Sequence, residues 1–117
     1  MISDTLHEVK ACSGRYVLAI NDTMNVLQGK WKLPILGCLM FGKKRFKEME
    51  QHIPKITPRM LSKELKDLEM NGIVERKVHN TTPVTVEYQL TDAGVSFKKV
   101  LDVMVEWGLD NRTKMLQ

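Results

Sequence analysis

The chain has 117 residues, 43% of them hydrophobic and 27% charged, and a net charge of +4 at neutral pH. That length suits one domain with one modest core and excludes two. The composition is that of an ordinary soluble globular protein. The longest near-apolar run, Leu33 to Phe41, falls far short of the ~18 residues that span a bilayer, so no membrane partner is expected. The opening Met1-Ile2-Ser3-Asp4 has no basic stretch ahead of an apolar one, which argues against export and for the cytoplasm. Cys12 and Cys38 lie far apart without metal-like spacing, as suits a reducing compartment.

Taken in order, residues 1–15 read as a loosely structured N-terminal arm, 16–112 as the domain and 113–117 as a C-terminal tail. Val17, Leu18, Ile20, Met24 and Leu27 recur at helical spacing and predict a first helix over Tyr16 to Gln28, broken by Gly29-Lys30. A second helix is expected from about Trp31 to Leu39, with Pro34 tolerated in its first turn and Gly42 ending the segment. A third, short helix from Arg45 to about His52 turns Phe46 and Met49 to one side and stops before Pro54. Thr57 is a good N-cap with Pro58 at the first helical position, and Asn71-Gly72 is a helix stop, so a fourth helix should fill the span between. Two helices joined by a turn this short make a helix-turn-helix.

Ile73 to Val78 and Val84 to Leu90 have strand character, the second alternating cleanly, with 79–83 as the hairpin tip. Thr91-Asp92 then caps a single long helix to about Asp110. Phe97, Val100, Leu101 and Met104 form its principal stripe, while Val103, Val105, Trp107 and Leu109 add apolar surface beyond the needs of one small core. The surplus predicts a homodimer, with Leu18, Ile20, Met24 and Leu27 of the first helix and Val100, Met104 and Trp107 of the last at the interface. The expected fold is α+β, mainly α: a winged helix-turn-helix flanked by N- and C-terminal dimerisation helices.

The charge is concentrated. Lys43 to Lys66 contains eight basic and three acidic residues, a net of +5 against −1 for the rest of the chain. On the fourth helix Leu61, Leu65 and Leu68 share a narrow sector, with Arg59, Ser62, Lys63 and Lys66 roughly opposite. A helix with leucines inside and cations outside suits insertion into a major groove about 12 Å wide. Double-stranded DNA is the expected partner. Arg59, with Thr57 and Pro58 at the helix N-terminus that enters the groove, is the candidate for bidentate contact to guanine, and Thr57 and Ser62 could contact phosphate or base. Lys63 and Lys66 are expected to neutralise phosphates, as are Lys44 and Arg45 before the third helix. Lys77, His79, Asn80 and Thr81 place further polar groups near the wing tip, where Asn80 and Thr81 equally suit turn chemistry, and Arg76 could pair with Glu75 or Glu87.

Gly29-Lys30-Trp31, Arg45-Phe46-Lys47-Glu48, Ile56 to Leu61, Leu65 to Glu69, Asn71 to Arg76, Pro83 to Tyr88, Leu90 to Gly94 and Glu106-Trp107-Gly108 follow in an ordered set. This set, from about Leu18 to Gly108, resembles the HxlR-type winged helix-turn-helix transcriptional regulators. The resemblance implies a homodimer on a roughly palindromic operator, with half-sites about 34 Å apart or a multiple of that. Many members carry a Cys-Pro-Val triplet thirteen residues before the tryptophan, and in several that cysteine senses electrophiles or oxidants. Here the position is Leu18, followed by Ala19 and Ile20, so that sensor is absent. Cys12, six residues earlier, could be an exposed and reactive thiol, its role in sensing left open, and Cys38 reads as a buried small hydrophobe. A small-molecule or redox signal is left unidentified. His7, His52 and His79 are dispersed and no glycine loop cradles a phosphate, so neither an enzyme nor a cofactor is expected. The competing reading is a winged-helix protein-interaction module without DNA binding, which would not need cations gathered on one helix face.

Overall fold

The structure, a computed structural model, describes residues 13–115. Most of the expected N-terminal arm, Cys12 included, lies outside the described residues. The elements run α1 (Ser13–Val26), α2 (Lys32–Leu39), β1 (Lys44–Arg45), α3 (Phe46–His52), α4 (Pro58–Met70), β2 (Val74–His79), β3 (Thr85–Leu90), α5 (Asp92–Val95) and α6 (Lys98–Met115). This is a winged helix-turn-helix. Helix α1 begins three residues earlier than the periodicity predicts, and α6 continues past residue 112.

The core is formed by Leu27, Ile35, Leu36 and Leu39, by Met49, Ile53 and Ile56 around α3, by Leu61, Leu65 and Leu68 of α4, and by Ile73, Val74 and Leu101. The leucine stripe of α4 is therefore buried as its spacing requires. Its start is set locally: the Thr57 hydroxyl oxygen accepts the Met60 N–H at 3.2 Å, and Pro58 takes the position whose N–H would otherwise go unpaired. Its end is a Schellman turn. Gly72, at φ 74°, donates to the Glu69 carbonyl at 3.0 Å, and Ile73 donates to the Leu68 carbonyl at 2.9 Å.

Leu27, expected at the dimer interface, is 3% exposed and belongs to this core. It follows the last turn of α1 and points inward, so it has no surface left for a partner. The rest of α1 buries nothing.

The wing has a third strand that the sequence reading missed. β1 pairs antiparallel with β3, Lys44 opposite Tyr88 and Arg45 opposite Glu87, giving the order β1-β3-β2. β2 and β3 pair antiparallel from Val74 opposite Leu90 to His79 opposite Thr85. A two-residue strand of Lys and Arg carries no local β signal; its pairing with β3 defines it. It ties the entry of α3 directly to the wing.

The expected single C-terminal helix is two. Thr91 caps α5 by accepting the Gly94 N–H at 3.2 Å, while its own hydroxyl reaches the Gly72 and Ile73 carbonyls at 2.6 and 3.1 Å. Gly94 is forced by close approach, since a Cβ there would sit 2.3 Å from the Ile73 carbonyl oxygen. The chain then turns at Ser96 and Phe97, and α6 leaves with only Leu101 buried among its described side chains.

One buried ion pair joins the helix-turn-helix to what precedes it. Lys32, the first residue of α2, and Glu64, in the middle of α4, are each 6% exposed. The Lys32 ammonium donates to both Glu64 oxygens at 3.2 and 3.3 Å, to the Gln28 carbonyl at 3.2 Å and to Asp67 at 3.5 Å. All three of its protons thus have acceptors, which a buried ammonium requires.

Removing only one member of this pair leaves a buried charge without its counter-ion. Lys32→Met should therefore lower stability by about 3–5 kcal/mol, and adding Glu64→Leu should restore most of it. Urea unfolding of both variants checks this, and a Lys32→Met midpoint near the parent's would refute it. The glycines make a second contrast. Gly94→Ala should cost about 1–3 kcal/mol by overpacking. Gly37→Ala, where a Cβ meets nothing within 4 Å, should be neutral or stabilise α2 by about 0.5–1 kcal/mol in the same assay.

Candidate nucleic-acid interface

Burying Leu61, Leu65 and Leu68 leaves the opposite side of α4 to solvent, and Arg59, Ser62, Lys63 and Lys66 are all exposed there. Among the described residues no carboxylate lies within 4.0 Å of Arg59, Lys63 or Lys66. Of the three acidic side chains of α4, Glu64 and Asp67 face Lys32, while Glu69 is exposed near the C-terminal end of the helix, away from the first-turn Arg59. Thr57 and Pro58 are exposed at its N-terminus. The Thr57 oxygen is committed to the cap, which leaves its hydroxyl proton available to an outside acceptor.

Arg45 is exposed beside the start of α3. Its backbone N–H donates to the Glu48 carboxylate at 2.9 Å, a contact that orders this turn and leaves the guanidinium outward. Lys44 is half-buried, its ammonium near the Gly42 carbonyl at 3.4 Å.

The wing is more self-contained than its sequence indicates. Glu87 lies 3.6 Å from the Lys43 ammonium and 2.7 Å from His79 Nε2, the latter off the line of a hydrogen bond. Lys77 lies 3.9 Å from Glu75, which also accepts from the Gln89 amide. The two carboxylates suggested as partners for Arg76 are thus engaged by other groups. Thr81 serves the turn, donating its hydroxyl to the Pro83 carbonyl at 2.7 Å and its N–H to the His79 carbonyl at 2.8 Å. Asn80 is exposed. Of the wing residues singled out from sequence, His79 and Thr81 face inward to their own hairpin more than expected.

Cys38 is not fully buried, as its apolar neighbours had suggested. It is half-buried, a free thiol on the wall of an open cleft between α2 and α3. Burial pushes the thiol above its ordinary value, nearby Lys44 pulls it partly back and Glu48 adds to the rise. A thiol held in its protonated form is a poor nucleophile. The cleft has no counterpart in the sequence reading, because its walls come from separate segments. Among the described residues no helix is long and apolar enough to cross a membrane.

The HxlR-like helix-turn-helix family matches residues 26–115. The HTH-type transcriptional regulator YtcD of Bacillus subtilis (strain 168) is 39% identical over 97 residues, covering 83% of this chain and 77% of that protein. An HTH-type transcriptional regulator of Methanothermobacter thermautotrophicus is 43% identical over 93 residues, 80% of this chain and 71% of that protein. The solved structure of the redox regulator HypR in its reduced form has a TM-score of 0.78 and 40% identity, covering 83% of this chain and 96% of that one. Likeness of this depth, running through the helix-turn-helix and on into the wing and α6, makes the chain a member of the HxlR-like helix-turn-helix family.

Proposed function

We propose that the chain is a homodimeric transcriptional regulator that binds a roughly palindromic operator, with α4 in the major groove and the wing on the backbone or minor groove. The carrying observation is the face of α4: Arg59, Lys63 and Lys66 exposed together, without carboxylate partners among the described residues. Unneutralised cations repel one another, and phosphate relieves that repulsion while releasing counterions from the duplex. Arg59, in the first turn of α4, is the base reader, with Thr57, Pro58 and Ser62 beside it. Lys63 and Lys66, joined by Lys44 and Arg45, hold phosphates. Lys77, His79, Asn80 and Thr81 contribute at the wing tip. The similarity to regulators named as HTH-type supports the same reading.

The dimer reading rests on apolar surface. Helix α1 exposes Leu18, Ile20 and Met24, and α6 exposes Val100, Met104 and Trp107, the last 58% accessible. A helix that buries none of its residues gains little from folding alone, so α1 needs an outside surface to pack on. The shape agrees. The Cα radius of gyration is 16.7 Å, against about 13 Å for a compact chain of this length. Two such chains pairing α1 and α6 would set their α4 helices about one duplex turn, ~34 Å, or a multiple of that apart.

HypR is named as a redox regulator. In this chain Leu18 occupies the family's sensor position and the Cys38 thiol is pushed toward its protonated form, so we assign the signal to something other than oxidation of these two positions.

Selection of bound genomic fragments by the purified protein supplies the operator, after which affinity is measured against salt. Lys66→Ala should weaken all sequences alike and reduce the log–log salt slope by about one per protomer. Arg59→Ala should cost about 1–3 kcal/mol at one base position and relax preference there. Failure to enrich any duplex, or salt-insensitive binding, would refute the DNA reading. Separately, sedimentation of Met104→Glu and Trp107→Glu should show loss of the dimer mass. An unchanged dimer in both would place the interface elsewhere.

A further inference from the structure

The open cleft beside α2 has a volume of about 560 Å3, within the range of small-molecule sites. Its chemistry is specific. Pro34, Ile53 and Pro54 give it an apolar lining, and the Phe41 ring stands at its edge 89% exposed. An aromatic ring with so little packed on it gains from a flat apolar partner. Two basic side chains, Lys44 and His52, line the same space. The nearby carboxylate, Glu48, is turned onto the Arg45 backbone N–H. Among the described residues the Lys44 ammonium has no carboxylate within 4.0 Å, only the Gly42 carbonyl at 3.4 Å.

We propose that this cleft binds a small aromatic carboxylate, its ring against Phe41 and the apolar wall and its carboxylate on Lys44, with His52 in support. This goes beyond the DNA reading and rests on it in one respect, which is the consequence of binding. Lys44 belongs to β1, next to Arg45 and the entry to α3, and the same ammonium is assigned to phosphate in the DNA complex. It cannot fully serve both acceptors. A bound carboxylate therefore lowers duplex affinity, and the duplex lowers carboxylate affinity by the same factor. The ligand is the signal that the absent family cysteine does not supply.

The test uses 2-naphthoate and its neutral counterpart 2-naphthylmethanol, titrated into the full-length protein without DNA and followed by amide chemical shifts. Naphthoate should saturate one site per chain, bind at least tenfold tighter than the alcohol and shift Gly37, Cys38, Phe41 and Lys44. Gly37→Leu fills open space in the cleft, so it should weaken naphthoate at least tenfold while duplex binding is unchanged. Phe41→Ala, at an exposed position, should also weaken naphthoate and guards against a folding defect in the first variant. Lys44→Gln should erase the preference for acid over alcohol. Equal affinity for acid and alcohol, shifts confined to α1 and α6, or full binding by both Gly37→Leu and Phe41→Ala would overturn the proposal. So would no binding at all, the result expected if a second copy of the chain covers the cleft. The titration contains no DNA, so its failure leaves the operator reading standing, and loss of operator binding leaves the cleft reading standing.

Discussion

The orientation of α4 depends on a carboxylate in an apolar place. Glu64 is three residues beyond Leu61 and next to Leu65, so it falls on the flank of the leucine stripe and enters the interior with it. A charge there is tolerable only with a counter-ion and satisfied hydrogen bonds, and the Lys32 ammonium provides both. Rolling α4 about its axis would part the two charges or expose the leucines. The pair therefore sets which side of the helix is presented outward, and with it the positions of Arg59, Lys63 and Lys66. The same ammonium holds the Gln28 carbonyl, so the chain leaving α1 is fixed to the same point.

What was legible in the sequence divides along the same physical line. The ends of α4 could be read because they are made locally: Thr57 caps its own helix, Pro58 needs no partner, and Gly72 takes a positive φ that other residues adopt at a cost. The cation face was legible for a related reason, since it follows from 100° per residue and three leucines. Features made by distant partners were not. β1 exists because Lys44 and Arg45 meet Tyr88 and Glu87, more than 40 positions on. The break between α5 and α6 follows from Gly94 lying against the Ile73 carbonyl. Leu27 looks like one more apolar residue on the first helix, but it lies just past the end of α1 and packs into the core.

Lys32 and Glu64 show the limit of reading charge from composition. Nothing in its local sequence singles out Lys32, and Glu64 is simply one of the three acids of the basic window from Lys43 to Lys66. Its position on the flank of the leucine sector was the available sign, because a carboxylate drawn in beside an apolar stripe must have a cation brought to it. With Glu64 paired inward, it does little to neutralise the outward face. That face is more positive than the count of charges along α4 suggests.

The wing behaves in the opposite way. Its carboxylates face basic side chains: Glu87 lies near the Lys43 ammonium and the His79 ring, and Glu75 beside Lys77. A phosphate approaching the wing meets positive charge already partly offset, and must compete with a carboxylate for Lys43 and Lys77. Exposed pairs of this kind are individually weak, about 0–1 kcal/mol, so they can open; but they cancel part of the field that would draw a polyanion from a distance. Long-range attraction in the proposed complex is therefore assigned chiefly to α4 and Arg45, and the wing to alignment after contact. Lys44 sits between the two groups, on the strand that joins the helix-turn-helix to the wing and on the wall of the cleft. That position is why a ligand on this one ammonium would be felt by the DNA-facing surface without reaching α4.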